Sequence, residues 1–343
     1  MLISDFNYDL PDHLIAQVPL DPRQNSRMLL VDRRTGTVKD TAFTDISSFL
    51  DRGDLVVLNN TKVFPARLLG RSETGANVEI FLVEEIGDGL WITLARPARR
   101  LHPGKKIFFG ERLIAEVVEK THDGKIIVKY QTDGDFDDIV QRIGKTPLPP
   151  YIKRNGNGID LDSERYQTVY AKERGAIAAP TAGLHFTPQI FDRIKSAGAE
   201  IAEITLHIGY GTFEPVRVTD VSQHRVASER YEITETTAEQ LNTANREGRR
   251  IVAIGTTTTR ALENSLIRYG QFTAGRNSAD LTVTPGYNFR AVDALLTNFH
   301  LPQSSLLVLV STFGGHELIM KAYKYAVESK YRFYSYGDCM LVF

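Results

Sequence analysis

The segment from residue 63 to residue 147 constrains the fold of this chain most, because its hydrophobic pattern differs from that of its surroundings. Short runs in which apolar and polar residues alternate recur at roughly ten-residue spacing, with Gly and Asp between them. The runs lie at 66–70, 77–83, 90–94, 106–109, 113–118 and 125–130. This pattern predicts a small all-β barrel or sandwich. The proline-rich stretch 146–151 that follows is typical of a stiff interdomain linker.

The sequence on both sides of this segment predicts an α/β fold, because apolar strand-like runs alternate with amphipathic helices. Strands are predicted at 27–32, 54–59, 200–207, 250–254 and 305–311, and helices at 10–17, 187–195, 236–247, 255–264 and 318–328. A chain of 343 residues also exceeds the usual size of a single core. We therefore expect a mixed α/β protein. Residues 1–62 and 148–343 would form a large, discontinuous α/β domain, with an inserted barrel-like domain at 63–147.

The composition is that of a soluble globular protein, with 42% hydrophobic and 24% charged residues and a net charge of −1. The first nine residues show no signal-peptide pattern, and the apolar run 305–311 is too short to cross a bilayer. The single cysteine, Cys339, excludes internal disulfides and a cysteine-built zinc site. We expect a cytoplasmic protein that uses no metal and contacts no membrane.

Residues 96–112 are the most basic stretch, with six Lys or Arg and one Glu, a net charge of +5. The stretch contains Arg99, Arg100, Lys105 and Lys106. A local patch of this kind suits nucleic-acid phosphates even though the chain as a whole is no polycation. A solvated run of surface charge is the alternative explanation.

Four of the eight histidines lie in turns rich in glycine, proline or threonine: His185, His207, His300 and His316. Backbone in such turns can approach a ligand closely, and histidine serves as acid or base near neutral pH. The four turns together predict one composite active site, although any single histidine could be a satisfied structural imidazole. For acid–base catalysis we rank His207 first, then His185 and His300. Asp338 and Glu229 are the next candidates.

The segment 255–260 lies between a predicted strand and a predicted helix. Free N–H groups at a helix N-terminus, together with threonine hydroxyls, bind carboxylates and phosphates. Gly255, Thr256, Thr257 and Arg260 are therefore candidates for holding an anionic part of a ligand. Simple N-capping by threonine is the alternative.

Two glycine turns are weaker ligand-binding candidates. Gly209, Gly211 and Thr212 follow the predicted strand 200–207 in a pattern that only partly resembles a dinucleotide-binding turn. Gly183 lies two residues before His185. Near the end of the chain, the aromatic-rich segment 331–338 suits contact with a cation or a nucleobase.

Long segments spread over nearly the whole chain carry a family resemblance: 10–19, 59–67, 148–152, 165–170, 179–187, 207–213, 292–302 and 331–338. With these segments the chain resembles the S-adenosylmethionine:tRNA ribosyltransferase-isomerases of queuosine synthesis. Two positions depart from the family pattern. Ala227 stands where the family usually has a second histidine after His224, and Thr258 stands where serine is usual.

The resemblance implies that the ribosyl part of S-adenosylmethionine is transferred to a 7-aminomethyl-7-deazaguanine base in tRNA and isomerised to an epoxycyclopentane. Adenine and methionine are released. S-adenosylmethionine is then a co-substrate, no prosthetic group is required, and the partner is the tRNA anticodon loop. A turn histidine would remove a proton beside the sulfonium. The donor would be bound by the glycine, threonine and arginine candidates named above: Gly183, Gly209, Gly211, Thr212, Gly255, Thr256, Thr257 and Arg260. Arg67 joins the basic stretch as a tRNA contact, and we expect a monomer.

Two other functions remain open at this point. A methyltransferase would use the same donor without consuming its ribose, but its usual glycine-rich loop after the first strand is missing. A non-catalytic RNA-binding protein would explain the β segment and the basic stretch, but not the four histidine turns. Release of adenine distinguishes ribosyl transfer from both.

Overall fold

A computed structural model describes residues 1–154, 161–213 and 216–343, without the side chains of residues 212 and 213. The chain divides into two compact units. The first comprises Met1–Lys62, Pro150–Ile159 and Glu164–Phe343, and the second comprises Val63–Pro149 and Asp160–Ser163. The mixed α/β fold class predicted from the sequence is confirmed.

The strands are, in chain order, β1 (Arg27–Asp32), β2 (Thr37–Ala42), β3 (Leu55–Asn59), β4 (Thr61–Val63), β5 (Arg67–Ser72), β6 (Asn77–Gly87), β7 (Leu90–Arg96), β8 (Lys106–Phe108), β9 (Leu113–Lys120), β10 (Ile126–Thr132), β11 (Glu173–Ala176), β12 (Glu200–Leu206), β13 (Glu229–Ile233), β14 (Ile251–Ile254), β15 (Gly275–Ala279), β16 (Ala294–Asn298) and β17 (Cys339–Val342). The α-helices are α1 (Phe136–Ile143), α2 (Leu161–Arg165), α3 (Pro188–Ser196), α4 (Glu235–Glu247), α5 (Thr256–Tyr269), α6 (Ser305–Gly314) and α7 (His316–Glu328).

A nine-stranded sheet forms the centre of the first unit, in the order β15-β13-β12-β3-β14-β16-β17-β1-β2. The strands β12, β3, β14 and β16 run parallel to one another. Strands β3, β14 and β16 are buried along their whole length, because apolar clusters cover both faces of the sheet. The carboxyl ends of the four parallel strands therefore lie along one edge, where ligands of open α/β sheets commonly bind.

Side-chain caps explain where the helices begin. The Thr187 hydroxyl accepts the Ile190 N–H at the start of α3, and Thr234 does the same for Thr237 at the start of α4. Helix α4 ends at Gly248, which adopts a left-handed φ of 66°. Of these three residues, Thr187 and Gly248 are recognisable in the sequence as an N-cap and a helix-ending glycine, whereas the structure starts α4 before the predicted residue 236.

The second unit contains a closed barrel of six strands in the order β10-β7-β6-β5-β8-β9, as the alternating pattern predicts. Its interior is filled by the apolar residues that alternate along each strand, including Ile80, Leu82 and Val117. The basic stretch begins at the end of β7, passes through the short 3-10 turn Ala98–Arg100 and continues through β8.

Two elements predicted from the sequence are wrong. The apolar run 305–311 lies in helix α6, not in a strand; the Ser304 hydroxyl caps it by accepting the Leu307 N–H. A short, uniformly apolar run carries no periodicity that distinguishes a buried helix from a buried strand. The helix predicted at 10–17 is reduced to the 3-10 turn Asp12–Leu14, because Ala16 N–H pairs with the Phe333 carbonyl instead. Among the described residues, no helix has the length and apolar character of a membrane span.

Candidate active site

A cleft of about 610 Å³, including its open mouth, lies at the carboxyl edge of the parallel strands. All of its lining residues belong to the first unit: Tyr151, Tyr166, Ala178, Ala179, Pro180, Thr181, Ala182, Ile208, Gly255, Thr256, Thr257, Thr297, Asn298, Phe299, His300, Leu306, Tyr334 and Ser335. The turns after β12, β14 and β16 therefore meet here, although they are far apart in the sequence.

The N-terminus of α5 forms one wall of the cleft. Gly255 turns the chain from β14 into the helix with a φ of 94°, a conformation that glycine adopts without strain. Thr256 and Thr257 are only 6% and 8% exposed, and both line the cleft. The first N–H groups of a helix also lack intrahelical acceptors. The first turn of α5 thus lines the cleft at the positive end of a helix dipole.

His300 is the turn histidine that lines the cleft. Its backbone N–H donates to the Tyr323 hydroxyl at 3.0 Å, and its carbonyl accepts a hydrogen bond from the Tyr8 hydroxyl. Its Nε2 lies 2.9 Å from the Thr297 hydroxyl. Burial lowers the pKa of His300 to about 3. The imidazole is therefore uncharged at neutral pH, and the same lowering makes the ring a weak base and its protonated form a strong acid.

His185 does not line the cleft, and both of its ring nitrogens form hydrogen bonds with other side chains. Its Nε2 lies 3.1 Å from Asn298 Oδ1 and its Nδ1 lies 2.8 Å from the Ser26 hydroxyl. Because the Asn298 amide nitrogen donates to the Tyr334 carbonyl, Asn298 Oδ1 is the acceptor and His185 Nε2 carries the proton. Burial lowers the pKa of His185 to about 4, so the ring is neutral. Both ring nitrogens are thus engaged within the protein, and Nε2 fixes Asn298 in the cleft wall.

His207 also lies outside the cleft lining. Its Nδ1 is 2.8 Å from the Thr61 hydroxyl, and its ring packs directly on Gly175. A Cβ at Gly175 would come within 2.7 Å of the ring, so only glycine fits there. Burial, with Arg230 as a further contributor, lowers the pKa of His207. The fourth turn histidine, His316, begins α7 and packs edge-on against Phe6 at 5.0 Å.

The two candidate carboxylates have protein partners. Asp338 is buried and accepts backbone N–H groups from Arg27 and Arg332 at 2.9 and 2.8 Å, which fixes the turn that carries Tyr334 into the cleft. Burial raises the pKa of Asp338. Glu229 accepts the Gly209 N–H at 3.1 Å and forms a buried ion pair with Arg260 at 2.5 Å.

Arg260 binds an anion, as its position predicts, but the anion is the protein's own Glu229. Its guanidinium also donates to the backbone carbonyls of Leu281, Ala227 and Ala279. The side chain does not line the cleft at the α5 N-terminus; it borders a second cavity. A ligand anion at Thr256 and Thr257 would therefore be held without Arg260.

The remaining donor-binding candidates are spread around the site. Gly183 is buried against the Tyr170 ring and is not in the cleft lining. Gly211 borders the second cavity, where its backbone lies close to Ala227. The side chain of Thr212 lies outside the described residues.

The tRNA-binding candidates all lie on the second unit. Arg67 pairs with Glu79 at 2.7 Å and Lys105 with Glu73 at 3.6 Å. Arg99 and Arg100 are exposed in the turn after β7. Lys106 opens β8 and is partly exposed.

Sequence reasoning missed several residues that line the cleft, above all Tyr151, Tyr166 and Asn298. Each lacks a local pattern that indicates a site, because it reaches the cleft from a separate segment. Tyr334 is different, because it lies in the aromatic-rich segment 331–338, whose composition indicates contact with a cation or a nucleobase. It adopts a left-handed φ of 73°, an uncommon conformation for an aromatic residue that often marks functional sites. Among the described residues, no cluster of three or more His, Cys, Asp or Glu could hold a metal ion.

Comparisons with known proteins agree along the whole chain. The model of a family described as queuosine biosynthesis protein matches residues 3–342. Proteins named S-adenosylmethionine:tRNA ribosyltransferase-isomerase from Trichlorobacter lovleyi and Halothermothrix orenii are 47% and 45% identical, with 100% of both chains covered in each pair. The crystal structure of an S-adenosylmethionine tRNA ribosyltransferase from Thermotoga maritima is 35% identical with a TM-score of 0.57, covering 99% of this chain and 100% of that one.

Proposed function

The chain belongs to the queuosine biosynthesis family of S-adenosylmethionine:tRNA ribosyltransferase-isomerases, and from this premise we propose that the cleft at the carboxyl edge of its sheet is where the ribosyl group is transferred. The reaction moves the ribosyl part of S-adenosylmethionine onto the 7-aminomethyl-7-deazaguanine base of tRNA and releases adenine and methionine. One observation supports this placement above all. One cleft is lined both by Thr256 and Thr257, at the start of α5, and by His300.

The cleft has complementary groups for a donor that carries a carboxylate, a sulfonium and an adenine. The methionine carboxylate would lie at the N-terminus of α5, against the hydroxyls of Thr256 and Thr257. Tyr151, Tyr166 and Tyr334 supply aromatic faces, which attract cations and stack on bases. A neutral His300 places no positive charge beside the sulfonium.

His300 is the residue that we propose for proton transfer. A sulfonium acidifies the C–H bonds next to it, and an uncharged imidazole can accept such a proton. The C–H electron pair stays on carbon for the rearrangement of the sugar. The departing adenine needs a proton, and the imidazolium formed in the first step can return it. One group would thus serve as base and then as acid, with no net change in its own protonation.

The direct test of this function is product analysis with purified protein, S-adenosylmethionine and tRNA that carries the 7-aminomethyl-7-deazaguanine base. We expect adenine and methionine in equal amounts, together with a tRNA that has gained the ribosyl-derived group. S-adenosylhomocysteine as the product would contradict the proposal and indicate methylation. Binding of tRNA without any turnover would also contradict the proposal and indicate a non-catalytic RNA-binding protein.

The hydroxyl pair at α5 can be tested by replacing Thr256 and Thr257 together with valine. Valine keeps the shape and the helix but removes both donors, so donor affinity should fall by about 1–3 kcal/mol, the scale of hydrogen bonds to a charged group. Calorimetric titration with S-adenosylmethionine measures the change. Thr259→Val is the matched control, because the Thr259 hydroxyl donates to the Gly255 carbonyl and does not line the cleft. Equal affinity in the double variant and the control would remove the α5 N-terminus from the donor site.

The barrel of the second unit supports a proposal for tRNA binding. The basic stretch presents exposed cations in the turn after β7 and around β8. Anticodon-loop recognition requires phosphate contacts from such cations in addition to contacts with the unpaired base. We also propose that the protein acts in the cytoplasm, because tRNA is its substrate, and that it acts there as a monomer.

Charge reversal tests the basic stretch. Replacing Arg99, Arg100, Lys105 and Lys106 with Glu should weaken tRNA binding and reduce its salt dependence, by about 0.7–0.9 in the log–log slope for each phosphate that the variant no longer neutralises. Affinity for S-adenosylmethionine should not change. Binding isotherms at several salt concentrations measure both quantities.

The control for this variant carries the same change in net charge on the first unit. Four exposed cations are suitable for it: Arg193, Lys195, Arg246 and Lys321. If both variants show the same fall in affinity and in salt slope, the effect reflects net charge alone and the basic stretch is ordinary solvated surface.

A further inference from the structure

A second cavity adjoins the cleft and shares two lining residues with it, Leu306 and Tyr334. It encloses about 970 Å³, including its open mouth, and its walls combine apolar side chains with the buried Glu229–Arg260 pair. We propose that this cavity holds the acceptor, a guanine-type base that carries an aminomethyl group, while the first cleft holds the donor. The inference rests on the proposed function and assigns the acceptor a site of its own.

The ion pair in the wall presents the hydrogen-bonding pattern that a guanine requires. The pairing edge of guanine offers one acceptor, the carbonyl oxygen, beside two donors, a ring N–H and an amino group. Arg260 donates one N–H to Glu229 and three to backbone carbonyls, so one of its five N–H groups is left for the base. The Glu229 carboxylate lies beside it, at 2.5 Å. A buried pair of this kind also discriminates well, because a mismatched base would leave charged groups unpaired.

Protein contacts hold the pair in place before any base arrives. Arg260 is fixed by the carbonyls of Leu281, Ala227 and Ala279, and Glu229 by the Gly209 N–H. Both side chains are less than 10% exposed. Preorganised groups lose little freedom on binding, which favours affinity and specificity.

Another part of the cavity lining tolerates the charge of an aminomethyl group. His224 Nε2 lies 2.7 Å from the Ser305 hydroxyl, at the start of α6. Burial, and the neighbouring Arg225, lower the pKa of His224, so the ring is uncharged at neutral pH and does not repel an ammonium group. Val226, Leu281 and Leu309 supply the apolar surface for the base itself.

Tyr334 connects the two cavities. Its left-handed backbone places the residue in the linings of both, and Asp338 fixes the turn from which it projects. A base in the second cavity and a sugar in the first would then meet beside this side chain. The transfer reaction requires such a meeting of acceptor and donor.

Filling the second cavity tests the proposal. Ala227 is exposed at the mouth of the cavity, so Ala227→Leu should fold normally while occupying space that the base needs. We expect the KM for tRNA to rise about tenfold or more, with the KM for S-adenosylmethionine within about twofold of wild type. Ser228→Leu is the matched control, because Ser228 is the adjacent exposed residue and does not line the cavity. Val226→Phe is a second filling variant with the same expected result.

Adenine release at varied tRNA and varied donor concentration measures both constants, with free 7-aminomethyl-7-deazaguanine as a competitor of tRNA. Unchanged constants in both filling variants would overturn the subsite. A rise confined to the KM for S-adenosylmethionine would overturn it as well, because the donor would then occupy this cavity. Failure of the wild-type protein to release adenine is a different result: it would overturn the proposed function, and the subsite with it.

Discussion

Replacing His300 with glutamine is expected to lower the rate of adenine release in a single turnover by about 10²–10⁴, the usual contribution of a general acid–base group. Glutamine keeps a polar side chain near the Thr297 hydroxyl but cannot take up a proton. The backbone of residue 300 should stay in place, because the hydroxyls of Tyr323 and Tyr8 hold it independently of the side chain. Affinity for S-adenosylmethionine should change little, since the loss concerns the transition state.

The turn histidines outside the cleft are the controls for this variant. His207→Gln and His185→Gln remove side chains whose hydrogen bonds run to Thr61, Ser26 and Asn298. We expect both to lower the melting temperature and to change turnover only as far as the fold is weakened. Rapid-quench measurement of adenine, calorimetry and thermal melting separate the cases. A folded His300→Gln protein with turnover within about tenfold of wild type would exclude His300 as the proton-transfer group.

Replacing Glu263 with alanine should give the largest loss of stability of any single change considered for this protein, about 3–5 kcal/mol. This helix α5 carboxylate is completely buried. It accepts the N–H groups of Arg290, Ala291 and Val292 at 2.9–3.1 Å and the Tyr287 hydroxyl at 2.8 Å. Its removal would leave several buried donors without an acceptor. Each unpaired donor would then lower the free energy of unfolding, because its desolvation on folding is no longer offset by a hydrogen bond.

Urea denaturation measures this loss as a change in the free energy of unfolding. Glu239→Ala, on the exposed face of α4, is the control and should change stability by less than about 0.5 kcal/mol. Glu263 holds the segment that leads into β16, so the variant should also lose hydrogen-exchange protection in that strand. A loss below about 1 kcal/mol would mean that water replaces the carboxylate as the acceptor.

The fold was largely predictable because its signals are local. Alternation with turns at regular spacing indicated the barrel, and Thr187 and Gly248 indicated where one helix begins and another ends. The exception, α6, shows the limit of this reasoning. Its run of leucines and valines is apolar on every side because the helix is buried, so the sequence shows no 3.6-residue alternation of apolar and polar residues.

The candidate site was only partly predictable. The sequence by itself determined three things: the family, the α/β class with a β-barrel segment inserted in the middle of the sequence, and the turns that hold chemically useful residues. Only the tertiary structure decided which of those residues face the cleft. His300 lies in the cleft lining. His185 and His207 instead form hydrogen bonds with other side chains of the protein, and Arg260 forms an ion pair with Glu229. The physical reason is that secondary structure depends on neighbours in the chain, whereas the direction and protonation of a side chain depend on segments that meet it only after folding.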